Sequence, residues 1–379
     1  MPIPIYLDYN ATTPHDPEVI AAMRPFLEEE FGNPSSTHWY GTRPKKAVME
    51  ARRQVASLLN CRAEEIIFTS GGTEANNHAI IGVAEAFSMK GNHIITSQIE
   101  HPAVSEVCAY LEKNGFAITY LPVDEYGLVN PADVAAAITS RTLLITIMHA
   151  NNEVGTIQPI RAIAEIAQKH GVLVHTDAAQ SIGKIPVQVD ELGVDLLSVA
   201  GHKVYAPKGV GALYARQGLV PGMFMYGAGQ EMGKRPGTEN VLEIAGLGKA
   251  CEVAERDLEK NFQHMQAMRD RLYIGLQRNC SQVRLNGHPE KRLPNTLNLS
   301  FRGLEANRIL EEIGSEVAAS AGAACHSDRV EVSYVLEAMD LPTIWAKGTL
   351  RLTTGRLTST EDIDKAVAVI ARAVKKLSA

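Results

Sequence analysis

The chain has 379 residues, 45% of them hydrophobic and 21% charged, with 37 basic against 43 acidic side chains and a formal net charge of −6. That is the composition of an ordinary globular protein, without the excess positive charge that nucleic acid or a membrane surface would call for. No apolar run reaches the ~18 residues of a membrane span, and the start MPIPIYLDYNATTP lacks the basic and then apolar order of a secretory signal.

The length allows one large domain and a smaller one. Between residues 66 and 216, short β-rich runs alternate with helical patterns. The runs are IIFTS (66–70), HIITS (93–97), FAITYLPV (116–123), TLLITIM (142–148), VLVHTD (172–177), DLLSVA (195–200) and GALYAR (211–216). RAIAEIAQKHG (161–171) carries apolar residues at helical spacing and ends on a glycine. Continuous apolar strands separated by helices predict an α/β fold, a mostly parallel sheet between helices. Ligands of such sheets bind beyond the carboxyl ends of the strands.

After residue 216 the pattern changes. A glycine-rich loop, MYGAGQEMGKRPGTEN (225–240), precedes a long helical stretch over 241–279. TLNLSF (296–301), a helix near 305–313, LRLTTG (350–355) and a capped helix from about 360 predict a second, α+β domain. We place the large domain at 15–258 and the small one at 1–14 together with 259–379.

Several strand ends carry chemistry. FTSGGTEANN (68–77) reads as a strand, a glycine turn and a helix start, where free backbone N–H groups and the Thr73 hydroxyl suit a phosphate. It is neither GxxxxGK[ST] nor GxGxxG, which counts against a dinucleotide. VHTDAAQSIG (174–183) puts Asp177 at a strand's end, as a helix cap or as the acidic partner of a pyridinium nitrogen, with Gln180 a turn further on. SVAGHKVYAPKGVG (198–211) ends a buried strand in Gly-His-Lys. A lysine there has its charged form penalised by burial, as a Schiff base requires. Lys203 suits this better than Lys208, which sits in a Pro-Lys-Gly turn open to water.

His101, in IEHPA, follows another strand and can stack on a flat cofactor or carry a proton, or be a structural histidine. Asn151 and Asn152, in MHANNEVG, can cap a helix or hold a carboxylate. His101, His149, His175, Asp177 and His202 are the sole plausible metal set, and their spacing matches no metal motif, so no metal site is expected. The five cysteines (61, 108, 251, 280 and 325) form no CxxC pair. This argues against a zinc finger or disulfide framework and for a reducing, cytoplasmic setting. Cys325 lies in SAGAACHSD (320–328), where buried filler, metal ligand and reactive sulfur are all open readings; so small a run fits a mobile loop.

Taken together, these segments resemble the pyridoxal-phosphate cysteine desulfurases of the nitrogen-fixation and iron–sulfur-assembly type, in the class V aminotransferase branch. The resemblance covers YLDYNATTP (6–14), FGNPSSTH (31–38), SGGTEANN (70–77), EHPAV (100–104), NNEVGTIQP (151–159), HTDAAQ (175–180), GHKVYAPKGVGALY (201–214), GQEMGKRPGTEN (229–240), LPNTLNLSF (293–301), GAACHSD (322–328) and LRLTTGR (350–356). Eleven motifs in family order are highly specific.

The resemblance implies the fold type I architecture of pyridoxal-phosphate enzymes, a seven-stranded large domain and an α+β small one, in a homodimer. It implies that Lys203 carries the cofactor as a Schiff base, that Asp177 pairs with the ring nitrogen, and that Gln180 bonds the ring hydroxyl. His101 stacks on the ring and moves protons. Gly72, Thr73 and His202 hold the phosphate, with Thr238 reaching the neighbouring subunit's site. Asn152 borders the cofactor and with Arg351 holds the substrate carboxylate, and Cys325 takes the sulfur as a persulfide. The product is alanine, and the sulfur passes to an acceptor or cluster-scaffold protein for iron–sulfur assembly or thiolation.

Two departures stand out. Ala200 occupies a position where the family commonly has serine, which implies one phosphate hydrogen bond fewer. GAACHSD resembles the loop of selenocysteine lyases, so L-selenocysteine is the alternative substrate. A non-catalytic sulfur-transfer scaffold is a second alternative, and a plain aminotransferase a third.

Overall fold

The computed structural model describes residues 3–321, 325–326, 329–330 and 332–378, with 325–326 and 329–330 described in backbone alone. All seven apolar runs form strands of one sheet. Across the sheet their order is Ile66–Thr69, Gly211–Ala215, Leu196–Ala200, Leu173–Asp177, Thr142–Thr146, His93–Ser97 and Ala117–Leu121. Gly211–Ala215 runs antiparallel to both its neighbours, and every other pairing is parallel. The sheet is therefore mostly parallel, as its unbroken apolar strands predict.

Strand alternation divides the core in two. Ile66, Phe68, Ile95, Ile145, Val174 and Leu197 face one layer, packed against helices Trp39–Leu59, Ile160–His170 and Val241–Arg256. Ile67, Ile94, Leu144, Leu196 and Leu213 face the other, against helices Gly72–Ala86 and Pro102–Lys113. Gly171 ends helix Ile160–His170 in a left-handed conformation (φ 67°), as the glycine stop predicts.

A second apolar core gathers Leu272 and Leu276 of helix Leu258–Asn279, Leu297, Leu299, Leu350 and Leu352 from a four-stranded antiparallel sheet, and Ile363, Ile370 and Val374 of helix Thr360–Leu377. Ile5 and Leu7 join it, and Ile5–Tyr6 pairs in parallel with Val317–Ala318. Ser359 and Asp362 form a reciprocal capping box at the start of the last helix. Two strand and helix bounds differ from the expectation. The 241–279 stretch breaks at Asp257 (φ −107°, ψ 14°), whose carboxylate pairs with Arg256 at a distance of 2.8 Å. Aspartate is a poor helix-interior residue and favours helix starts, so one long pattern becomes two helices. The 116–123 run pairs only over Ala117–Leu121, because Pro122 has no N–H to donate.

Strand ends 97, 146, 177 and 200 open on the same edge of the sheet, and the loops after them meet there. Asn151 shapes one such loop from a fully buried position, accepting from the N–H groups of Glu153 (2.8 Å) and Val154 (3.0 Å) and donating to Ile99 O (3.1 Å). Gly155 closes that turn at φ 79°, where an added Cβ would lie 2.8 Å from Thr296 Cβ. Among the described residues no helix is long and apolar enough to cross a membrane.

Gly155→Ala combines a left-handed backbone with a clash against the small sheet. It is expected to lower stability by about 2–4 kcal/mol, measured by urea unfolding. A loss below about 0.5 kcal/mol would contradict this packing account.

Candidate active site

A cavity of about 420 Å³ opens at this edge of the sheet. Gly72, Thr73, His101, Asn152, Asp177, Gln180, His202, Lys203 and Arg351 all line it. Strand Leu196–Ala200 runs straight into a tight 3-10 turn over Gly201–Lys203, which carries the lysine into the cavity. Lys203 Nζ donates to the carbonyls of Asn10 (2.5 Å) and Ala11 (2.8 Å), neither of which carries charge. Burial and then the Arg351 charge push its pKa down to about 8, against an opposing pull from Asp177 and Asp8. About a tenth of the amine is therefore uncharged and nucleophilic at pH 7, and about half at pH 8.

Asp177, at the end of strand Leu173–Asp177, is only 7% exposed. One carboxylate oxygen accepts from the Ala179 N–H (2.9 Å), and the other accepts from Asn76 Nδ2 (2.7 Å). The first bond is a local turn bond, so the helix-cap reading has a counterpart here. The second comes from helix Gly72–Ala86, whose first turn also lines the cavity. Its N-cap residue, Gly71, makes no side-chain cap bond, so its leading N–H groups are available as an anion site.

His101 caps helix Pro102–Lys113, with Nδ1 accepting from the Ala103 N–H (3.1 Å). In the neutral ring the proton then resides on Nε2. The surrounding protein lowers its pKa and Lys203 adds to that, while Asp177 opposes both. His202 contacts the Thr12 hydroxyl (3.3 Å), and burial followed by the Lys203 charge push it down to about 4. Both shifts favour the neutral ring.

On the other side, Arg351 Nη2 donates to Asp8 Oδ1 (2.9 Å) and Ser320 Oγ (3.3 Å), and Nη1 to Asn152 O (3.2 Å). Among the described residues, Arg351 Nε and Asn152 Oδ1 are buried without partners, as is Asn76 Oδ1. All three residues line the cavity. An orphaned guanidinium N–H and an orphaned amide call for a polar ligand, and a carboxylate satisfies the first directly.

Thr238 lines a separate cavity of about 190 Å³ with Phe68, Ser70 and Arg235. The Cys325 side chain lies outside the described residues; its backbone pairs with Val330 in a short antiparallel ladder. His149 and His175 are structural: they bond Ser181 (2.9 Å), and Thr146 (2.8 Å) with Ser198 (3.0 Å), respectively. Among the described residues, no group of three or more His, Cys, Asp or Glu side chains is placed to hold a metal. Asn10, Asp8 and Asn76 were not predicted. Asn10 is 1% exposed and donates through Nδ2 to Thr296 Oγ1 (2.9 Å) and Asn152 O (3.1 Å), while its carbonyl accepts from Gln180 (3.1 Å) and Lys203. The quoted motifs YLDYNATTP and SGGTEANN contain all three, but nothing local marks them as site residues.

The donor set fits pyridoxal phosphate. It offers an amine for the aldehyde, a carboxylate for the ring nitrogen, a helix start for the phosphate, and orphaned polar atoms on the substrate side. Fold and site thus define a fold type I pyridoxal-phosphate enzyme. The Aminotransferase class-V family model matches residues 5–366. A protein of Dictyoglomus turgidum named cysteine desulfurase IscS is 50% identical over 98% of this chain and 95% of its own. A solved NifS-like protein superposes with a TM-score of 0.92 at 36% identity, covering 99% of this chain and 100% of its own. Another, described as SspA in complex with cysteine, has a TM-score of 0.82 at 36% identity over 93% of this chain and 99% of its own. The chain belongs to the class V aminotransferase family.

With the Lys203 amine titrating at about 8, capture of pyridoxal phosphate by apoprotein should speed up as pH rises and level off a unit or so above 8. Absorbance-monitored uptake across pH 6–11 tests this. A rate that keeps climbing toward the 10.5 of an ordinary lysine contradicts it.

Proposed function

We infer that this enzyme is a pyridoxal-phosphate-dependent L-cysteine desulfurase that yields L-alanine and a persulfide on Cys325. The observation that carries the reading is the cavity itself. A pKa-lowered lysine and a buried carboxylate converge on one side, and Arg351 and Asn152 groups without partners among the described residues converge on the other. The IscS relatives and the cysteine complex of a related structure support the choice of substrate.

Bound pyridoxal phosphate supplies an electron sink for negative charge developing at the substrate's α-carbon. Lys203 holds it, Asp177 keeps a proton on the ring nitrogen, and Gln180 donates to the ring oxygen. The N–H groups of Gly72 and Thr73, the Thr73 hydroxyl and neutral His202 hold the phosphate. Ala200 lines the cavity with a methyl group and donates nothing. Arg351 Nε and the Asn152 amide, which can turn either end to a ligand, hold the substrate carboxylate. Asp8 steadies the guanidinium from its far edge. Lys203 Nζ, once freed by the substrate's amino group, takes the α-proton, and His101 Nε2–H holds a proton beside the substrate thiol.

Cys325 Sγ, as a thiolate, then attacks the substrate sulfur. The S–S bond forms as the substrate C–S bond breaks, and that bond's electron pair stays on carbon. The sulfur is oxidised and the carbon reduced. Protons returned to that carbon and the α-carbon complete alanine, leaving Cys325 as a persulfide.

We further propose a cytoplasmic homodimer in which Thr238 of each subunit serves its partner's cavity, since within its own subunit it lines a different one. The persulfide goes to an acceptor protein of iron–sulfur assembly or thiolation. We also assign residues 15–258 to a large domain and 1–14 with 259–379 to a small one, because Ile5 and Leu7 share a core with Leu272 and Leu297.

Cys325→Ala should keep cofactor and colour but lose sulfur delivery by at least about 1000-fold, measured with a thiol acceptor; activity that survives would mark a plain aminotransferase. Arg351→Lys should raise KM for L-cysteine about 10–100-fold in a steady-state alanine assay, and an unchanged KM contradicts its role. In that assay L-cysteine should turn over readily. Release of selenide from L-selenocysteine with negligible turnover of L-cysteine would overturn the substrate assignment.

A further inference from the structure

Lys184 is 4% exposed and has no place in the mechanism above. Burying an ammonium is costly unless a carboxylate answers it, yet among the described residues none pairs with this one. Its Nζ donates to two amide oxygens, Gln180 Oε1 at 3.0 Å and Asn10 Oδ1 at 3.2 Å. The charged groups facing it are Lys203 and Arg351, of the same sign, and with burial as the larger cause they hold its pKa well below that of an ordinary lysine. A neutral amine has two N–H bonds, and both find acceptors here. The third hydrogen of an ammonium has no acceptor among the described residues.

Those two bonds fix what Gln180 presents to the cavity. With Oε1 turned to Lys184, Nε2 sends one hydrogen to Asn10 O at 3.1 Å. Its second N–H remains, on a side chain that lines the cavity. A half-turn of the amide would take from a Lys184 N–H its acceptor, Oε1, and set that oxygen against the Asn10 carbonyl, acceptor on acceptor. Asn10 is tied from the same side, since Asn295 Nδ2 also donates to its Oδ1 (3.0 Å).

We propose that Lys184 is a positioning residue that locks Gln180 as a hydrogen-bond donor to the cofactor's ring oxygen. The proposal rests on the reading of Gln180 given above. A donor on that oxygen favours its anionic form and makes the neighbouring lysine–cofactor nitrogen easier to deprotonate. The groups around that nitrogen, Arg351, Asp177, Asp8, His101 and His202, are the same in every variant below.

The test is a pH titration of the holoenzyme's visible absorption band in wild type, Lys184→Met, Gln180→Met and the double variant, with thermal unfolding as the check on folding. Lys184→Met and Gln180→Met should each raise the midpoint by about half a unit to one unit, the worth of one hydrogen bond. In the Gln180→Met background, Lys184→Met should add little, because its route is gone. An equal shift in both backgrounds overturns the proposal, since Lys184 would then act without Gln180. A shift in Gln180→Met with none in Lys184→Met overturns it while leaving the reading of Gln180 intact. No shift in Gln180→Met defeats that reading, and the proposal with it. If Lys184→Met does not fold, Lys184→Gln retains an amide donor too short to serve both oxygens and should shift the midpoint the same way, by less.

Discussion

The site depends on one act of desolvation, the withdrawal of the Lys203 amine from water at the carboxyl edge of a parallel sheet. Among the described residues, its hydrogen bonds go to the uncharged carbonyls of Asn10 and Ala11. Its pKa falls to about 8, and the fall is what makes it a nucleophile. Asp177 and Asp8 pull the other way and keep the fall moderate. Were Lys203 displaced outward by one turn, water would restore its ordinary basicity, and the cavity would keep its shape but lose its reactive group.

The rest of the architecture serves that arrangement. The sheet's apolar strands bury both faces, so their carboxyl ends are the places where polar side chains can be displayed. Strands ending at Asp177 and Ala200 bring the carboxylate and the lysine turn together. The segment around Asn10 then crosses the edge and bonds polar groups on both sides of it. It touches Lys184 and Gln180 on the sheet side, and Thr296 and Asn295 on the small-sheet side. Arg351 arrives from that small sheet and is fixed by Asp8 of the same N-terminal segment. Substrate-side and cofactor-side groups are thus set by one continuous polar seam.

Much of this was legible in the sequence, for reasons that can be named. The seven strands announce themselves as unbroken apolar runs, and Lys203 and Asp177 stand at their ends, where polarity is out of place. The eleven motifs give the family. Asn10, Asn76 and Lys184 were not legible, because their partners lie 285, 101 and 174 residues away in Asn295, Asp177 and Asn10 respectively. Local pattern carries no information about such bonds. The break at Asp257 was missed because the apolar spacing on either side keeps helical phase. Thr238 was anticipated from the resemblance alone, and its lining of a different cavity is a fact of three-dimensional placement.

The central claim is that sulfur leaves the substrate for this chain's own cysteine. Mass spectrometry of the Cys325 peptide after brief incubation with L-cysteine, under non-reducing conditions, tests it most directly. The account predicts a peptide heavier by one sulfur atom, reversed by a thiol reductant and absent in Lys203→Ala. A Cys325 peptide of unchanged mass, while alanine and sulfide accumulate in solution, would contradict it.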